Sequence, residues 1–216
     1  MNEMLNFGMV GGGSGSLIGE VHRKAASFDR KAKLVSACFS RSYNNTLSTG
    51  AKLDLDPRRL YKNFKEMSDK EGVREDKIDF VVIVTPNSSH FEIAKAFMEK
   101  GINVVCDKPL TLKVEEAEEL AELAKKKNLL GCVTYTYSGY PMVKHAREII
   151  TKGEIGKIRM VMGEYLQEWL AKLVEKEGKN RQALWRTDPK YSGKSNCVAD
   201  IGCHIENIIS YVTGLE

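Results

Sequence analysis

Two stretches of this sequence gather side chains able to move or stabilise a proton. "ADIGCHIENIISYVTG" sets Asp200 four residues before His204, and "GINVVCDKPL" ends an apolar run in Asp107, Lys108 and Pro109. On a helix, positions i and i+4 share a face, and an acid there can orient an imidazole and raise its basicity, as proton transfer near neutral pH requires. A capping aspartate followed by a partly buried structural histidine gives the same spacing, so the spacing leaves both readings open. A lysine at a strand tip offers a fixed positive charge to oxygen on which negative charge develops. Cys203 and Glu206 project away from the Asp200/His204 face of such a helix, and no second cluster has zinc-like spacing, so no metal is expected. His22, His90 and His145 take structural or surface roles by default, His90 gaining weight from its place in "TPNSSH". There is no Gly-x-Ser-x-Gly elbow, and no cysteine is paired with an obvious base.

The elements that must position these residues read as alternating strands and helices. Apolar runs at 5–11, 33–39, 79–85, 102–107 and 129–136 lack polar alternation, as expected of strands covered on both faces. Between them, "SSHFEIAKAFMEKG" reads as a helix with a Ser cap and an apolar face at Phe91, Ala94, Phe97 and Met98. Residues 111–128 read as a second helix, opened by Thr111 and burying Val114, Ala117, Leu120, Ala121 and Ala124. Such units make an α/β, doubly wound parallel sheet of the dinucleotide-binding (Rossmann) type the economical fold. "GMVGGGSGSLIGEVHRKA" follows the first strand and enters a helix with Val21, His22, Ala25 and Phe28 on one side. Gly11, Gly13, Ser14 and Gly15 are the loop residues expected against a pyrophosphate, although Ser16 stands where the usual spacing has its third glycine. A plain tight turn is the alternative.

In such a sheet, ligands sit outside the carboxyl ends of the strands, so the glycine loop, "TPNSSH" and "CDKP" face one crevice. Pro86 and Pro109 stop their strands there. The second strand ends in Ser40 and Arg41, with no acid for a ribose 2′-hydroxyl. Arg41 can pair with a 2′-phosphate, which favours NADP over NAD; a solvated surface arginine is the other reading.

After Gly139 the rhythm changes: a helix opens at Pro141, "KIRMVMGEYLQEW" reads as a long strand, and a last helix buries Ile201, Ile205, Ile208, Ile209 and Val212. The expected organisation is a first domain over 1–138 and a partial α+β domain over 139–216, apparently truncated because its sheet is not completed. The 216 residues are 42% hydrophobic and 29% charged with net charge +4, values of a packed globular chain. The charge is mixed along helix-like segments, which argues against nucleic acid as a partner. Five cysteines without Cys-x-x-Cys pairing read as mostly buried thiols of a reducing, cytoplasmic compartment. No basic leader or long apolar run suggests a signal peptide or membrane span, so the sequons at Asn44 and Asn87 read as chance matches.

Taken together, "GMVGGGSGSLIG", "VTPNSSH", "CDKPL", "YTYSGYPMVKHAREIITKGEIGKIRMVMGEYLQEW", "ALWRTDPKYSG" and "DIGCHIENIISYVTGLE" resemble the glucose-fructose oxidoreductase / inositol dehydrogenase / rhizopine catabolism family of NAD(P)-dependent oxidoreductases, in order and over essentially the whole chain. The resemblance implies a dinucleotide-binding domain followed by an α+β domain whose open sheet mediates substrate binding and oligomerisation. It implies that Lys108 matches the lysine of the family's Glu-Lys-Pro, which contacts the substrate hydroxyl and the nicotinamide side. Asp107 stands where glutamate is commoner and still reaches a ribose hydroxyl or orients Lys108. Asp200 and His204 match Asp-x-Gly-x-His, the histidine exchanging the proton. Thr85, Pro86, Asn87 and His90 match a cofactor motif, and Trp185 with Arg186 a pair near cofactor or substrate. Tyr137 is a polar candidate for the substrate. The implied activity is hydride transfer between NAD(P) and a hydroxyl-bearing carbon of a sugar, cyclitol or related polyol or keto-sugar. A homo-oligomer is implied for a full-length form and is in doubt for this short chain. A non-catalytic NAD(P)- or sugar-responsive regulator and an inactive fragment are the alternatives.

Overall fold

The computed structural model describes residues 4–16, 18–176, 178 and 180–215. The chain forms two compact units, one up to Val133 and one from Thr134. The division falls earlier than the boundary after Ser138 drawn from the sequence, because the 3₁₀ turn Thr136–Gly139 packs on helices of the second unit.

In the first unit, β1 (Leu5–Gly11), β2 (Ala32–Cys38), β3 (Phe80–Val84), β4 (Asn103–Cys106) and β5 (Gly131–Val133) form one sheet in the order β2-β1-β3-β4-β5. Every pairing in it is parallel. Successive side chains of a strand point to opposite faces, and both faces are apolar here. Phe7, Met9, Ala37, Val82 and Val84 pack on one side with Ala26 of α1 (Gly19–Ser27) and Leu47 of α2 (Tyr43–Lys52). Val10, Val81, Ile83, Val104 and Cys106 face the other, against Met67 of α3 (Phe64–Gly72), Phe97 of α4 (His90–Glu99) and Leu120 of α5 (Val114–Lys127). Helices on both faces make the sheet doubly wound, as expected. The chain reverses its direction of winding between β1 and β3, so the carboxyl ends of these two strands open the crevice where such sheets bind ligands.

Several local expectations change. In α4 the buried face is Ile93, Ala94, Phe97 and Met98, with Phe91 only partly covered. Helix α5 starts after Lys113 rather than at Thr111, whose hydroxyl donates to the Lys113 carbonyl instead of capping. Val114 and Ala121 are exposed, and Leu123 with Ala124 completes the apolar stripe around Leu120. Val21 and Phe28 of the α1 region also face solvent, since α1 turns His22, Arg23 and Ala26 towards the sheet. Strand β5 is short and its Cys132 is exposed, as befits a sheet edge. Only Cys38 and Cys106 are buried thiols; Cys197 is exposed and Cys203 half-buried, so the expectation of mostly buried cysteines fails.

The second unit contains α6 (Pro141–Thr151), α7 (Arg181–Thr187), α8 (Pro189–Ser192) and α9 (Cys203–Thr213), with a π-helical turn over Val198–Gly202 leading into α9. Helix α6 packs on α9, and the Arg147 guanidinium lies 4.6 Å from the Tyr211 ring centroid. Residues 157–169, expected as a long strand, pair with no strand among the described residues. A strand needs a neighbour to take its backbone hydrogen bonds, and the described residues of this unit supply none.

Candidate functional site

The glycine loop is built by close approach. Gly11 ends β1 with φ +83°, and a Cβ there would lie 2.5 Å from the Val84 carbonyl oxygen. A Cβ at Gly19 would lie 2.4 Å from the Cα of Gly12, so the start of α1 rests directly on the loop. The backbone therefore folds into a cradle that side chains would fill, which suits a pyrophosphate approached by main chain at a helix N-terminus. The close helix-to-loop approach that the third glycine makes in the usual spacing is made here by Gly19 against Gly12. Gly13 donates to the Phe39 carbonyl at 3.3 Å and Ser14 N–H to the Thr49 hydroxyl at 3.0 Å, while Gly15 (φ +88°) is open to solvent.

Sequence reasoning missed the support beneath this loop. Arg23 of α1 donates to the Gly12 carbonyl at 2.6 Å, its guanidinium 5.8 Å from the Phe39 ring centroid. Asn45 of α2 donates to the Ser14 carbonyl at 3.2 Å. Arg23 had a signal in the helical repeat facing the loop; the α2 contacts had none, since they join residues far apart in the chain. At the β2 tip, Ser40 N–H donates to Thr46 Oγ1 at 3.1 Å and Arg41 is exposed.

The ends of β3 and β4 are fastened together. His90, fully buried, faces the Thr85 carbonyl with Nε2 at 2.8 Å and the Pro109 carbonyl with Nδ1 at 2.7 Å. Ser89 Oγ lies 2.8 Å from the Thr85 hydroxyl and donates to the Pro86 carbonyl at 2.8 Å, and Asn87 is buried beside them. Asp107 N–H donates to the Ile83 carbonyl at 2.9 Å, and the Asp107 carboxylate accepts from Lys108 N–H at 3.0 Å. His22, reaching across from α1, places Nε2 3.9 Å from Asp107. Burial lowers the His22 pKa and the nearby carboxylate opposes that in part. The structure thus brings Thr85, Pro86, Asn87, His90, Asp107 and Lys108 to the same two strand tips, with Gly11 at the β1 end adjoining Val84.

In the second unit, His204 is buried on the first turn of α9. The Tyr137 ring stands edge-on to it at 4.8 Å between centroids and the Tyr135 ring at 6.2 Å. The Asp200 carboxylate accepts from Arg186 Nε at 3.1 Å. Arg186 also donates to Gln182 Oε1 at 2.6 Å and lies over the rings of Trp185, at 4.2 Å, and Trp169, at 5.5 Å. Trp185 and Arg186, expected near cofactor or substrate, are thereby tied to Asp200. Tyr165, unremarked in the sequence, hydrogen-bonds the Tyr137 hydroxyl. Among the described residues no three His, Cys, Asp or Glu side chains group as a metal site would require.

Comparison with known proteins agrees with this architecture. Residues 5–135 match the family described as "Oxidoreductase family, NAD-binding Rossmann fold", and residues 143–216 match the "GFO/IDH/MocA C-terminal domain". The uncharacterized oxidoreductase YfiI of Bacillus subtilis is 37% identical over 207 residues, covering 94% of this chain and 52% of the relative. Levoglucosan dehydrogenase of Pseudarthrobacter phenanthrenivorans is 34% identical over 148 residues, 68% of this chain and 36% of the relative. The crystal structure of an inositol dehydrogenase homolog complexed with NAD+ from Azotobacter vinelandii superposes with a TM-score of 0.94 at 37% identity, over 98% of this chain and 54% of that one. The chain spans about half the length of the relatives it matches. It belongs to the Gfo/Idh/MocA family of oxidoreductases with an NAD-binding Rossmann fold.

Proposed function

We propose that this protein takes part in reversible hydride transfer between NAD(P) and a hydroxyl-bearing carbon of a sugar, cyclitol or related polyol. The observation that carries the reading is His204, a buried imidazole held edge-on by Tyr137 in a unit of the family's second domain. The cradle of Gly11, Gly12 and Gly19 suits the dinucleotide, since it leaves room for main-chain contact alone. When bound, the nicotinamide supplies the hydride acceptor or donor. As the substrate carbon gives up hydride, the hydroxyl proton passes to a His204 nitrogen, and the proton returns in the reverse direction. Asp200, fixed by Arg186, is the acid assigned to support His204. Lys108 is assigned a hydrogen bond from Nζ to the reacting oxygen, stabilising the charge that builds there.

Relatives support the substrate class. They include levoglucosan dehydrogenase, a D-xylose 1-dehydrogenase [NADP(+)] of Haloarcula marismortui, and an inositol dehydrogenase homolog seen with NADH and myo-inositol. The test is a panel of myo-inositol, levoglucosan and D-xylose with NAD+ and NADP+. His204→Ala is expected to lower turnover about 10²- to 10⁴-fold while NAD(P)H titration stays near normal. An unchanged rate on a substrate of the parent protein refutes the assignment.

The cofactor proposal is finer: NADP, on the exposed Arg41 and the lack of an acid at the β2 tip. Arg41→Ala is expected to weaken NADPH binding by about tenfold with little effect on NADH, the size of one charge-assisted contact. Equal loss for both cofactors counts against it. A reducing, cytoplasmic compartment suits the free cysteines and is proposed on that basis.

A further inference from the structure

We propose that Tyr165 joins Tyr137 in a hydroxyl pair beside His204 that binds the hydroxyl next to the reacting carbon, so that vicinal diols are selected over deoxy analogues. The inference rests on the hydride-transfer reading and adds a residue and a selection rule to it.

Three observations within the second unit build the pair. The segment carrying Tyr165 runs directly on α9: a Cβ at Gly163 would lie 2.5 Å from Ile205 Cγ2 and 2.9 Å from Ile209 Cδ1. Only glycine permits that approach, and two residues later Tyr165 meets the Tyr137 hydroxyl. The Tyr137 ring is meanwhile fixed by its neighbours, edge-on to His204 at 4.8 Å and to Tyr140 at 5.7 Å. A substrate oxygen that exchanges its proton with His204 therefore lies next to the Tyr137 ring, and the next polar atom along the substrate meets the hydroxyl pair.

The chemistry of the pair selects its ligand. Two phenols carry two protons, and their mutual hydrogen bond uses one, leaving one donor and spare lone pairs. The Tyr165 hydrogen bond, aided by burial, pushes the Tyr137 pKa up to about 12, so Tyr137 keeps its proton at neutral pH. A pair of hydroxyls with both donor and acceptor capacity matches an alcohol, which has the same capacities, better than a carboxylate or phosphate, which only accepts. A site built to hydrogen-bond a hydroxyl discriminates against the analogue that lacks it, because its own polar groups are then left unpaired.

The experiment measures kcat/KM of the full chain and of its Tyr165→Phe and Tyr137→Phe variants on myo-inositol, levoglucosan and D-xylose, each with its monodeoxy analogues. The readout is the ratio of parent to deoxy substrate for one enzyme preparation, from which the folded fraction cancels. The parent protein is expected to lose about tenfold or more on the analogue lacking the neighbouring hydroxyl. Tyr165→Phe is expected to erase most of that loss, and combining it with Tyr137→Phe in one chain is expected to add little. If the parent protein discriminates and Tyr165→Phe leaves the ratio unchanged, the pair has no such role while hydride transfer stands. A parent protein that turns over a parent sugar and its analogues equally also overturns the pair alone. If no substrate of the panel is turned over with either cofactor, the hydride-transfer reading and the pair fall together.

Discussion

His22 shows how a single side chain can tie the site to pH. It leaves α1 towards Asp107, the residue beside Lys108, and its burial holds its pKa below the ordinary imidazole value. The unfolded chain therefore takes up the proton first. Stability from this residue is present above the ordinary value, about 6.5, and is lost as pH falls through it towards the lower folded value. His22→Gln is expected to flatten the decline in unfolding free energy between about pH 7 and pH 5, read from urea melts. An unaltered slope would show that the imidazole does not titrate differently in the two states. His90 contributes differently, through two carbonyl contacts that hold the ends of β3 and β4 in register. The sequence placed His90 near a strand tip but carried no sign of its partner, because Pro109 lies nineteen positions further on and meets it only when both strands pair in parallel.

At the scale of elements, close packing decides which glycines matter. Gly19 is spaced wrongly for the usual fingerprint, yet the start of α1 can approach Gly12 only without a Cβ at that position. Gly19→Ala is expected to displace the loop, lowering the melting temperature and weakening NAD(P)H binding by tenfold or more, as measured by fluorescence titration. A buried ion pair anchors the elements between β2 and β3. Arg59, in the turn Pro57–Arg59, pairs with the fully buried Glu71 of α3, whose carboxylate also accepts from the Tyr61 hydroxyl at 2.8 Å. Removing one partner leaves the other charge buried. Glu71→Gln is expected to cost about 3 kcal/mol in urea unfolding, and Tyr61→Phe only about 1 kcal/mol, because Arg59 still holds the carboxylate. Equal losses would mean that the ion pair adds nothing beyond a hydrogen bond. None of this network could be read from spacing, since Arg59 and Glu71 belong to different elements.

For the molecule as a whole, the two units differ in how far their backbones satisfy themselves. The first closes its parallel ladder from β2 to β5, whereas residues 158–168 of the second have no strand partner among the described residues. Their amides are expected to exchange with solvent orders of magnitude faster than those of β3 in the 216-residue chain, which hydrogen exchange can read segment by segment. Protection equal to that of β3 would show that the segment finds a partner.

The strands of the first unit, the glycine loop and the strand-tip prolines were legible in the amino-acid sequence alone, because each depends on residues near one another in the chain, whereas the long strand expected over 157–169 was not borne out. Apolar runs, caps and turn residues act over a few positions, and the Asp200-to-His204 spacing lies within one helical turn. Tertiary structure decided the rest: Gly19 on Gly12, His90 between two carbonyls, Arg186 on Asp200, and Tyr165 on Tyr137. Apart from the Gly12 and Thr85 approaches, which are local, each of these is a contact between segments separated in sequence. Its partner is chosen by how strands register and helices pack, and local residue preferences carry no record of that choice.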